Sequence, residues 1–247
     1  MNESSTPPVA VFDIDGTLFR SGLYREVIYE LIRMQAIDAA ILDQFADKEQ
    51  QWHARAHGNA FREFEQAMAN GMDATLPTIR ITDFDQAAER VIQQHKDNVY
   101  VYTRQLVKSL KQQGYYLLAI SGSQVELVEP FAREYGFDNW IGQEYERGDQ
   151  YFTGRILQKS HTDKHVLLQN VLEQTGYTLD NSIGVGDSAG DIAMLEMVTH
   201  PIAFNPEQSL FAHARTQQWE VVLERKNMIY KLQYHDNEYV LAETISH

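Results

Sequence analysis

Hydrophobic and polar positions alternate along this chain in blocks that predict strands and helices in turn. Short apolar runs, typical of strands covered on both faces of a sheet, occupy residues 9–12, 115–120, 181–186 and 201–204. Between them, apolar residues recur at intervals of three and four, as in amphipathic helices, over residues 104–114, 125–136 and 163–176. Strands that alternate with helices of this length indicate βαβ units, so the sequence predicts an α/β fold with a parallel sheet.

Residues 23–97 carry helical patterning and little that resembles a strand. Amphipathic helices are predicted over residues 24–34 and 81–95, the second with Thr82 or Asp83 as its N-cap. We therefore predict a helical insertion over residues 23–97.

The remaining residues, 1–22 and 98–247, are predicted to form the α/β core around this insertion. Within the core, residues 139–154 predict a strand followed by a hairpin.

Composition narrows the classes of protein that this chain can represent. The 247 residues include no cysteine, so thiolate nucleophiles, thiolate metal sites and disulfides are excluded. The formal net charge of −14 argues against binding to nucleic acid or to an anionic membrane. No stretch predicts a secretory leader or a membrane span, so we expect a soluble, cytoplasmic protein.

Two aspartates follow the first predicted strand at a spacing that would let both carboxylates point into one site. Asp13 and Asp15 are two residues apart, so in extended chain they share a face, and Gly16 permits a sharp turn after them. An ordinary surface turn explains the same residues equally well. The rest of the chain has to decide between these two interpretations.

Further polar residues fall where other strands or helices begin or end. Ser121 and Gly122 follow the second strand, Asp187 follows a later one with Asp191 four residues on, and Lys164 opens a helix. Each has a simpler explanation alone, as a helix cap, a turn residue or a solvated lysine. In an open parallel sheet, however, ligands bind at the carboxyl ends of the strands, where these residues are predicted to meet.

The predicted cluster holds more negative than positive charge. Four carboxylates, from Asp13, Asp15, Asp187 and Asp191, repel one another and require compensating cations. A divalent ion and Lys164 supply three positive charges, and protonation of Asp15 would balance the remaining one. Lys159 is the alternative lysine, but Asp163 can cap a helix that starts at Lys164.

Four short motifs in this order resemble those of the haloacid dehalogenase superfamily. They are DIDGT at 13–17, ISGSQ at 120–124, the helix-opening Lys164 and GVGDSAGD at 184–191. The resemblance implies a Rossmann-like parallel sheet with an inserted helical cap, similar to the subfamily that includes phosphoserine phosphatases. The implied activity is a phosphatase that acts on a small phosphorylated metabolite, with no nucleic-acid or membrane partner.

The resemblance also implies roles for single residues. Asp13 is the implied nucleophile, which forms an aspartyl-phosphate, and Asp15 is the implied general acid and then base. Ser121, the Gly122 amide and Lys164 are implied to bind the phosphate and offset its charge.

Magnesium is the implied cofactor, because this hard cation takes oxygen ligands. The implied site draws on the Asp13 and Asp187 carboxylates and the Asp15 backbone carbonyl. Asp191 is implied to lie beside them, where it holds water or Lys164.

The chain departs from the phosphoserine phosphatase pattern near the first motif. Those enzymes usually carry an acid there that meets the substrate ammonium group, whereas here LFRSGLYRE has no acid before Glu26. Gly190 also stands where asparagine is frequent. The resemblance therefore does not carry phosphoserine over as the substrate. Four basic residues in or near the insertion are candidates to attract an anionic substrate: Arg20, Arg25, Arg55 and Arg62.

Three other functions remain open at this point. A phosphotransferase or mutase would pass the phosphoryl group to an alcohol rather than to water. A noncatalytic phospholigand-binding protein would keep only the fold, although it has no evident need for both Asp13 and Asp15. A nucleotide-binding Rossmann protein is disfavoured, because the first strand leads into DIDGT and not into a glycine-rich phosphate loop.

Overall fold

A computed structural model describes residues 6–161 and 163–246. Its centre is a nine-stranded sheet in the order β4-β3-β2-β1-β5-β6-β7-β8-β9. The strands are β1 Val9–Phe12, β2 Tyr116–Gln124, β3 Asn139–Arg147, β4 Phe152–Gln158, β5 Ile183–Gly186, β6 His200–Phe204, β7 Glu220–Arg225, β8 Met228–His235 and β9 Glu238–Ser246. The run from β3 to β7 is parallel, and β4, β8 and β9 are added antiparallel. The predicted α/β class with a mostly parallel sheet is confirmed.

The central strands β2, β1 and β5 determine where the site lies. β1 is buried along its whole length and pairs in register with both neighbours, Phe12 opposite Ala119 and Val185. Apolar side chains are needed on both faces because helices cover both. Asp13 and Asp187 therefore leave the carboxyl ends of adjacent strands side by side.

Helices pack on both faces of the sheet. They are α1 Leu23–Arg33, α2 Ala46–His53, α3 Ala60–Thr75, α4 Ile81–His95, α5 Val101–Gln112, α6 Val125–Glu134, α7 Lys164–Thr175, α8 Ile192–Leu195 and α9 Gln208–Gln217. Phe12 belongs to the core that includes α1, α4, α5 and α6, whereas the adjacent residue Val11, on the opposite face of β1, belongs to the core with α7, α8 and α9. None of the helices in the described ranges has the length and apolar character to cross a bilayer.

The regular elements of residues 23–97 are all helical, as the patterning predicts. The predicted N-cap of α4 at Thr82 or Asp83 is wrong, because the helix begins at Ile81 and Arg80 holds the cap position without a side-chain cap. The Ile81 amide instead donates to the Gln150 carbonyl at 2.9 Å. A tertiary contact thus satisfies a helix end for which the sequence suggested a local cap.

The predicted hairpin of residues 139–154 is confirmed as β3 and β4, and it packs against the helical segment. Phe84 of α4 meets Phe152 of β4 edge to face, with ring centroids 5.3 Å apart. Arg147 of β3 donates to both carboxylate oxygens of Asp85, at 3.0 and 2.6 Å. The hairpin is therefore a platform on which α4 rests.

The sheet continues past residue 222, where the sequence analysis assigned no element. β8 and β9 form a hairpin around Asp236 and Asn237, both at positive φ, which is the conformation of a tight two-residue turn. Val240 and Leu241 on β9 remain exposed. The alternating pattern and the Asp-Asn pair were the available signals for this hairpin.

Candidate active site

The structure brings five predicted residues together at the carboxyl ends of β1 and β5. We call this cluster the acidic floor; its members are Asp13, Asp15, Lys164, Asp187 and Asp191. Lys164 is the first residue of α7, which is preceded by Asp163 at the cap position. Lys159 does not reach the cavity described below.

Lys164 is the electrostatic centre of the floor. Its Nζ lies 2.6 Å from Oδ1 of Asp13 and 2.6 Å from Oδ1 of Asp191, and all three side chains are buried. Burial acts to lower the pKa of Lys164, but the attraction of the two carboxylates outweighs it and holds the pKa above the ordinary value. The ammonium group is therefore charged at neutral pH.

Both carboxylate oxygens of Asp191 already accept hydrogen bonds from the protein. Besides Lys164, it accepts from the Asp187 amide at 3.1 Å and from the Ser188 amide and hydroxyl at 2.9 and 3.0 Å. Its observed contacts are those of a residue that orients Lys164 and the turn after β5. The sequence analysis placed Asp191 beside the metal ligands, where it holds water or Lys164; the contact with Lys164 is observed, and the part that Asp191 plays in a metal site stays a prediction.

A divalent cation fits a group of three carboxylates in the floor. Ligand oxygens of Asp13, Asp187 and Asp191 lie within 4.8 Å of one another, and Oδ2 of Asp13 is buried with no hydrogen-bond partner among the described residues. Such an orphaned carboxylate oxygen is unfavourable unless a cation or a donor meets it. These three carboxylates face the single charge of Lys164, and a divalent ion would neutralise the excess of two.

Gly16 allows Asp187 to approach the loop after β1. Its φ is +85°, and a Cβ at this position would lie 2.2 Å from Oδ2 of Asp187. Thr17 completes the contact, because its hydroxyl donates to Oδ1 of Asp187 at 3.2 Å. Any side chain at position 16 would therefore displace the carboxylate and strain the backbone.

The crowding of carboxylates disfavours their ionised forms in the metal-free site. Burial raises the pKa of Asp13 to about 7, with Asp191 and Asp15 acting in the same direction and Lys164 against it. Burial, reinforced by Asp13 and Asp191, raises the pKa of Asp187 well above its usual range. A cation that binds at the floor would therefore relieve the repulsion between these carboxylates.

Asp15 is held by three donors. Its Oδ1 accepts from the Leu23 amide at 2.6 Å, and its Oδ2 accepts from the Ser121 hydroxyl at 2.5 Å and the Ser123 hydroxyl at 2.8 Å. Ser121 therefore turns toward Asp15 here, while Gly122 lines the cavity. Because hydroxyl groups accept as well as donate, the same partners suit a protonated Asp15.

A cavity of about 540 Å³ lies between the floor and the helical segment. Its opposite wall, which we call the roof, consists of Tyr24, Arg25, Trp52, Arg62 and Glu65. Of the four predicted basic residues, Arg20, Arg25 and Arg62 line the cavity and Arg55 does not.

Glu65 is a cavity residue that the sequence analysis missed. It accepts from the Tyr24 hydroxyl at 3.1 Å, and burial raises its pKa to about 7, while Tyr24 and Arg25 act to lower it. Phe61, Glu65 and Ala69 line the cavity at spacings of four on α3. That i, i+4 repeat was the available signal, but packing decides which helix face meets the cavity.

Residues 10–196 match the sequence model of the haloacid dehalogenase-like hydrolase family, so the chain belongs to that family. The predicted superfamily resemblance is confirmed, and phosphoserine phosphatases recur among the relatives and the similar structures.

Three similar proteins define the neighbourhood. Phosphoserine phosphatase SerB2 of Mycobacterium tuberculosis is 28% identical over 83% of this chain and 46% of its own length. Histidinol-phosphatase of Neisseria meningitidis serogroup C is 26% identical over 87% of this chain and 97% of its own. A protein with unknown function from Bordetella pertussis Tohama I has a structure with a TM-score of 0.71 and 25% identity, covering 88% of this chain and 98% of that one. The chain spans less than half the length of the first curated relatives that it matches.

Proposed function

We propose that this protein is a magnesium-dependent phosphatase that hydrolyses a small phosphomonoester through an aspartyl-phosphate at Asp13. The observation that carries the proposal is the geometry of Asp13, whose Oδ1 is fixed by Lys164 and whose buried Oδ2 has no partner among the described residues. A carboxylate held in this way is available to attack phosphorus. Family membership supports the same chemistry.

The first step transfers the phosphoryl group to the protein. The Asp13 carboxylate forms a bond to phosphorus while the bond from phosphorus to the alcohol oxygen breaks. Asp15 gives its proton to that oxygen, so the product leaves as a neutral alcohol. Lys164 and the Gly122 amide offset the negative charge on the phosphoryl oxygens.

The second step returns the protein to its starting state. Asp15, now a carboxylate, takes a proton from water, and the resulting hydroxide attacks phosphorus and displaces the Asp13 carboxylate. Inorganic phosphate leaves, and Asp15 is again protonated. Ser121 and Ser123 hold Asp15 in both states, since each hydroxyl can donate or accept.

Mg²⁺ would be held by the Asp13 and Asp187 carboxylates and the Asp15 backbone carbonyl, and when bound it would stabilise charge on the phosphoryl group. Asp191 would act through Lys164 and the turn after β5, whose donors occupy both of its oxygens.

The helical segment, residues 23–97, is proposed as a cap on the α/β core. Its helices α1, α2 and α3 supply the roof residues. The chain enters and leaves it close together, because Phe19 and Val99 form an isolated antiparallel bridge. This arrangement suits a segment that excludes water from the reacting groups.

The deciding experiment measures phosphate release from a panel that starts with phosphoserine and histidinol phosphate, the substrates suggested by the relatives' names. We expect release with Mg²⁺, none with EDTA, and loss of about 10³-fold or more in kcat for Asp13→Asn. With p-nitrophenyl phosphate, whose leaving group departs without a proton, acid-quenched Asp15→Asn should retain phosphate on the peptide that contains Asp13, as read by mass spectrometry. Full release by folded Asp13→Asn would refute the nucleophile, and failure of the wild type to release phosphate from any phosphomonoester would refute the function.

A further inference from the structure

A second polar cluster joins the cap segment to the core, with two of its side chains buried and two half-buried. We call it the polar array; it consists of Asp73 of α3, Gln143 and Tyr145 of β3, and His161 of the loop before α7. All four side chains line the cavity. None has a role in the proposed phosphoryl transfer, so the array calls for its own explanation.

One carboxylate sets the direction of every hydrogen bond in the array. Oδ1 of Asp73 accepts from the Tyr145 hydroxyl and from Nε2 of Gln143, the latter at 3.3 Å. Nε2 of Gln143 also donates to the Tyr145 oxygen at 2.6 Å. An ionised carboxylate only accepts, so the amide of Gln143 must point its nitrogen at Asp73 and its oxygen away.

The orientation of Gln143 then fixes the protonation pattern of His161. Oε1 of Gln143 lies 2.9 Å from Nδ1 of His161. An amide oxygen only accepts, so Nδ1 carries the hydrogen, and in the neutral ring Nε2 presents a lone pair. No group within residues 6–161 and 163–246 hydrogen-bonds Nε2.

The surroundings of His161 favour its neutral form. Burial lowers the pKa of His161, and the positive charges of Lys159 and Lys164 act in the same direction, while Asp73 and Asp163 oppose them. The acceptor state of Nε2 therefore prevails at neutral pH. It depends on the hydrogen-bond geometry of the array as well as on this balance.

His161 stands beside the residues that would meet the substrate. Its Cβ is 3.0 Å from the position of a Cβ on Gly122, and its carbonyl oxygen is 3.5 Å from that position on Gly190. Both glycines line the cavity. His161 thus lies next to the end of the cavity at which phosphate is proposed to bind, and Gln143 links its ring to Asp73 of the cap wall, where the leaving alcohol would lie.

We propose that His161 determines specificity: its Nε2 accepts a hydrogen bond from a hydroxyl or amino donor on the leaving alcohol, and Asp73 and Gln143 position it for this contact. The inference rests on the proposed phosphatase function and adds the chemical class of the substrate. A substrate without such a donor would leave Nε2 desolvated and unpaired when the cavity fills. Sites built around a hydrogen bond reject analogues that lack the group for this reason.

The test compares two phosphomonoesters of equal length, 2-hydroxyethyl phosphate and propyl phosphate, which differ in a terminal hydroxyl against a methyl group. We expect wild type to prefer the hydroxyl compound by about tenfold or more in kcat/KM. His161→Asn can keep the bond to Gln143 through its amide nitrogen but has no atom at the Nε2 position, so the preference should fall close to one. His161→Gln reaches the Nε2 position and should recover part of the preference.

The positioning role of Asp73 has its own matched pair. Asp73→Asn offers Gln143 an amide that donates as well as accepts, so the fixed direction of the array is lost and we expect the preference to fall by several-fold. Asp85→Asn is the control, because Asp85 binds Arg147 on the exposed side of the same hairpin. It should leave the preference unchanged. If Asp73 had a merely structural role, Asp73→Asn would lower stability without changing the ratio of kcat/KM between the two substrates.

The outcomes separate the two proposals. Phosphate release that shows the same hydroxyl preference in wild type and in folded His161→Asn would overturn the assignment of His161 while leaving the phosphatase standing. A wild type with equal kcat/KM for the two esters would also overturn it. No release from any phosphomonoester in the presence of Mg²⁺ would overturn the proposed function and this inference with it.

Discussion

The acidic floor and the roof line one cavity, yet they are built by different means. The floor residues come from the ends of neighbouring strands and from the start of α7, and hydrogen bonds of 2.6 Å tie Lys164 to Asp13 and Asp191. The roof residues come from amphipathic helices, where few side chains meet a charged partner. Among the described residues, for example, Glu65 hydrogen-bonds the Tyr24 hydroxyl alone, at 3.1 Å. The floor is organised before substrate arrives, whereas the roof leaves polar groups for the substrate to satisfy.

Removing the charge at the centre of the floor should have the largest effect. Lys164→Met keeps the length of the side chain but leaves Asp13 and Asp191 buried without their cation. We expect a loss of about 3 kcal/mol in the free energy of unfolding. We also expect kcat to fall by about 10²- to 10³-fold. Urea unfolding and steady-state kinetics measure the two effects.

The matched control for this substitution is Lys159→Met, in the segment between β4 and α7. Lys159 is exposed and does not line the cavity. It should keep wild-type stability and kcat. A larger loss in Lys159→Met than in Lys164→Met would transfer the lysine role to Lys159 and contradict the observed floor.

The contrast between floor and roof explains what the sequence could predict. Asp13, Asp15, Asp187 and Asp191 lie within two short segments, and parallel strand order brings those segments together whatever the details of packing. Local spacing in the sequence was therefore enough to predict most of the floor residues. The loop geometry of Gly16 and the partners of Ser121 came only from the structure.

The roof and the polar array depended on contacts between distant segments. Glu65 reaches the cavity because α3 presents one particular face, and Asp73 meets Tyr145 across 72 positions of sequence. No local pattern fixes which face of a helix packs where, or that a hairpin will meet it. The cap of α4 was mispredicted for the same reason, since the Gln150 carbonyl replaced a local side chain.

A substitution in the roof should alter binding more than chemistry. Burial raises the pKa of Glu65 to about 7, so a cation on the substrate would favour its ionised form. For substrates with an amino group, such as phosphoserine, we expect Glu65→Gln to raise KM about tenfold with little change in kcat. Glu63→Gln is the control on the same helix, because Glu63 binds Lys48 outside the cavity. A fall in kcat alone would indicate that Glu65 acts in the chemical step, and would contradict the contrast between the floor and the roof.

Substitutions of Arg62 and Arg55, two arginines of the helical segment, should differ in their effects by a smaller margin. Arg62 lines the cavity and Arg55 does not, although both lie in the same helical segment. Arg62→Ala should raise KM by about threefold at low salt, an effect of the size expected for exposed charges, and the difference should shrink as salt is added. Arg55→Ala should leave KM unchanged at every salt concentration. Equal effects of the two substitutions would show that only net charge matters, and not the cavity.

The smallest effect expected is the shift in thermal stability that Mg²⁺ produces, which reports on the floor. In the metal-free protein, burial raises the pKa of Asp13 to about 7 and that of Asp187 well above its usual range. Between the ordinary aspartate pKa and these raised values, the folded state holds protons that the unfolded chain releases. Stability should therefore fall as pH rises through this interval. Mg²⁺ competes with the same protons, so its stabilising increment in Tm should be small at pH 5 and larger by a few degrees at pH 8.

Glu65→Gln is the informative control for this measurement, because Glu65 also has a raised pKa but lies in the roof. Glu65→Gln should remove the part of the pH dependence of Tm that Glu65 causes, both with and without Mg²⁺. The increase in Tm on adding Mg²⁺ should stay as in wild type. Asp187→Asn should instead reduce the increment at pH 8. An increment that is equal at both pH values, or that changes with Glu65 and not with Asp187, would mean that the cation does not bind at the floor. In that case the orphaned oxygen of Asp13 would require a different partner.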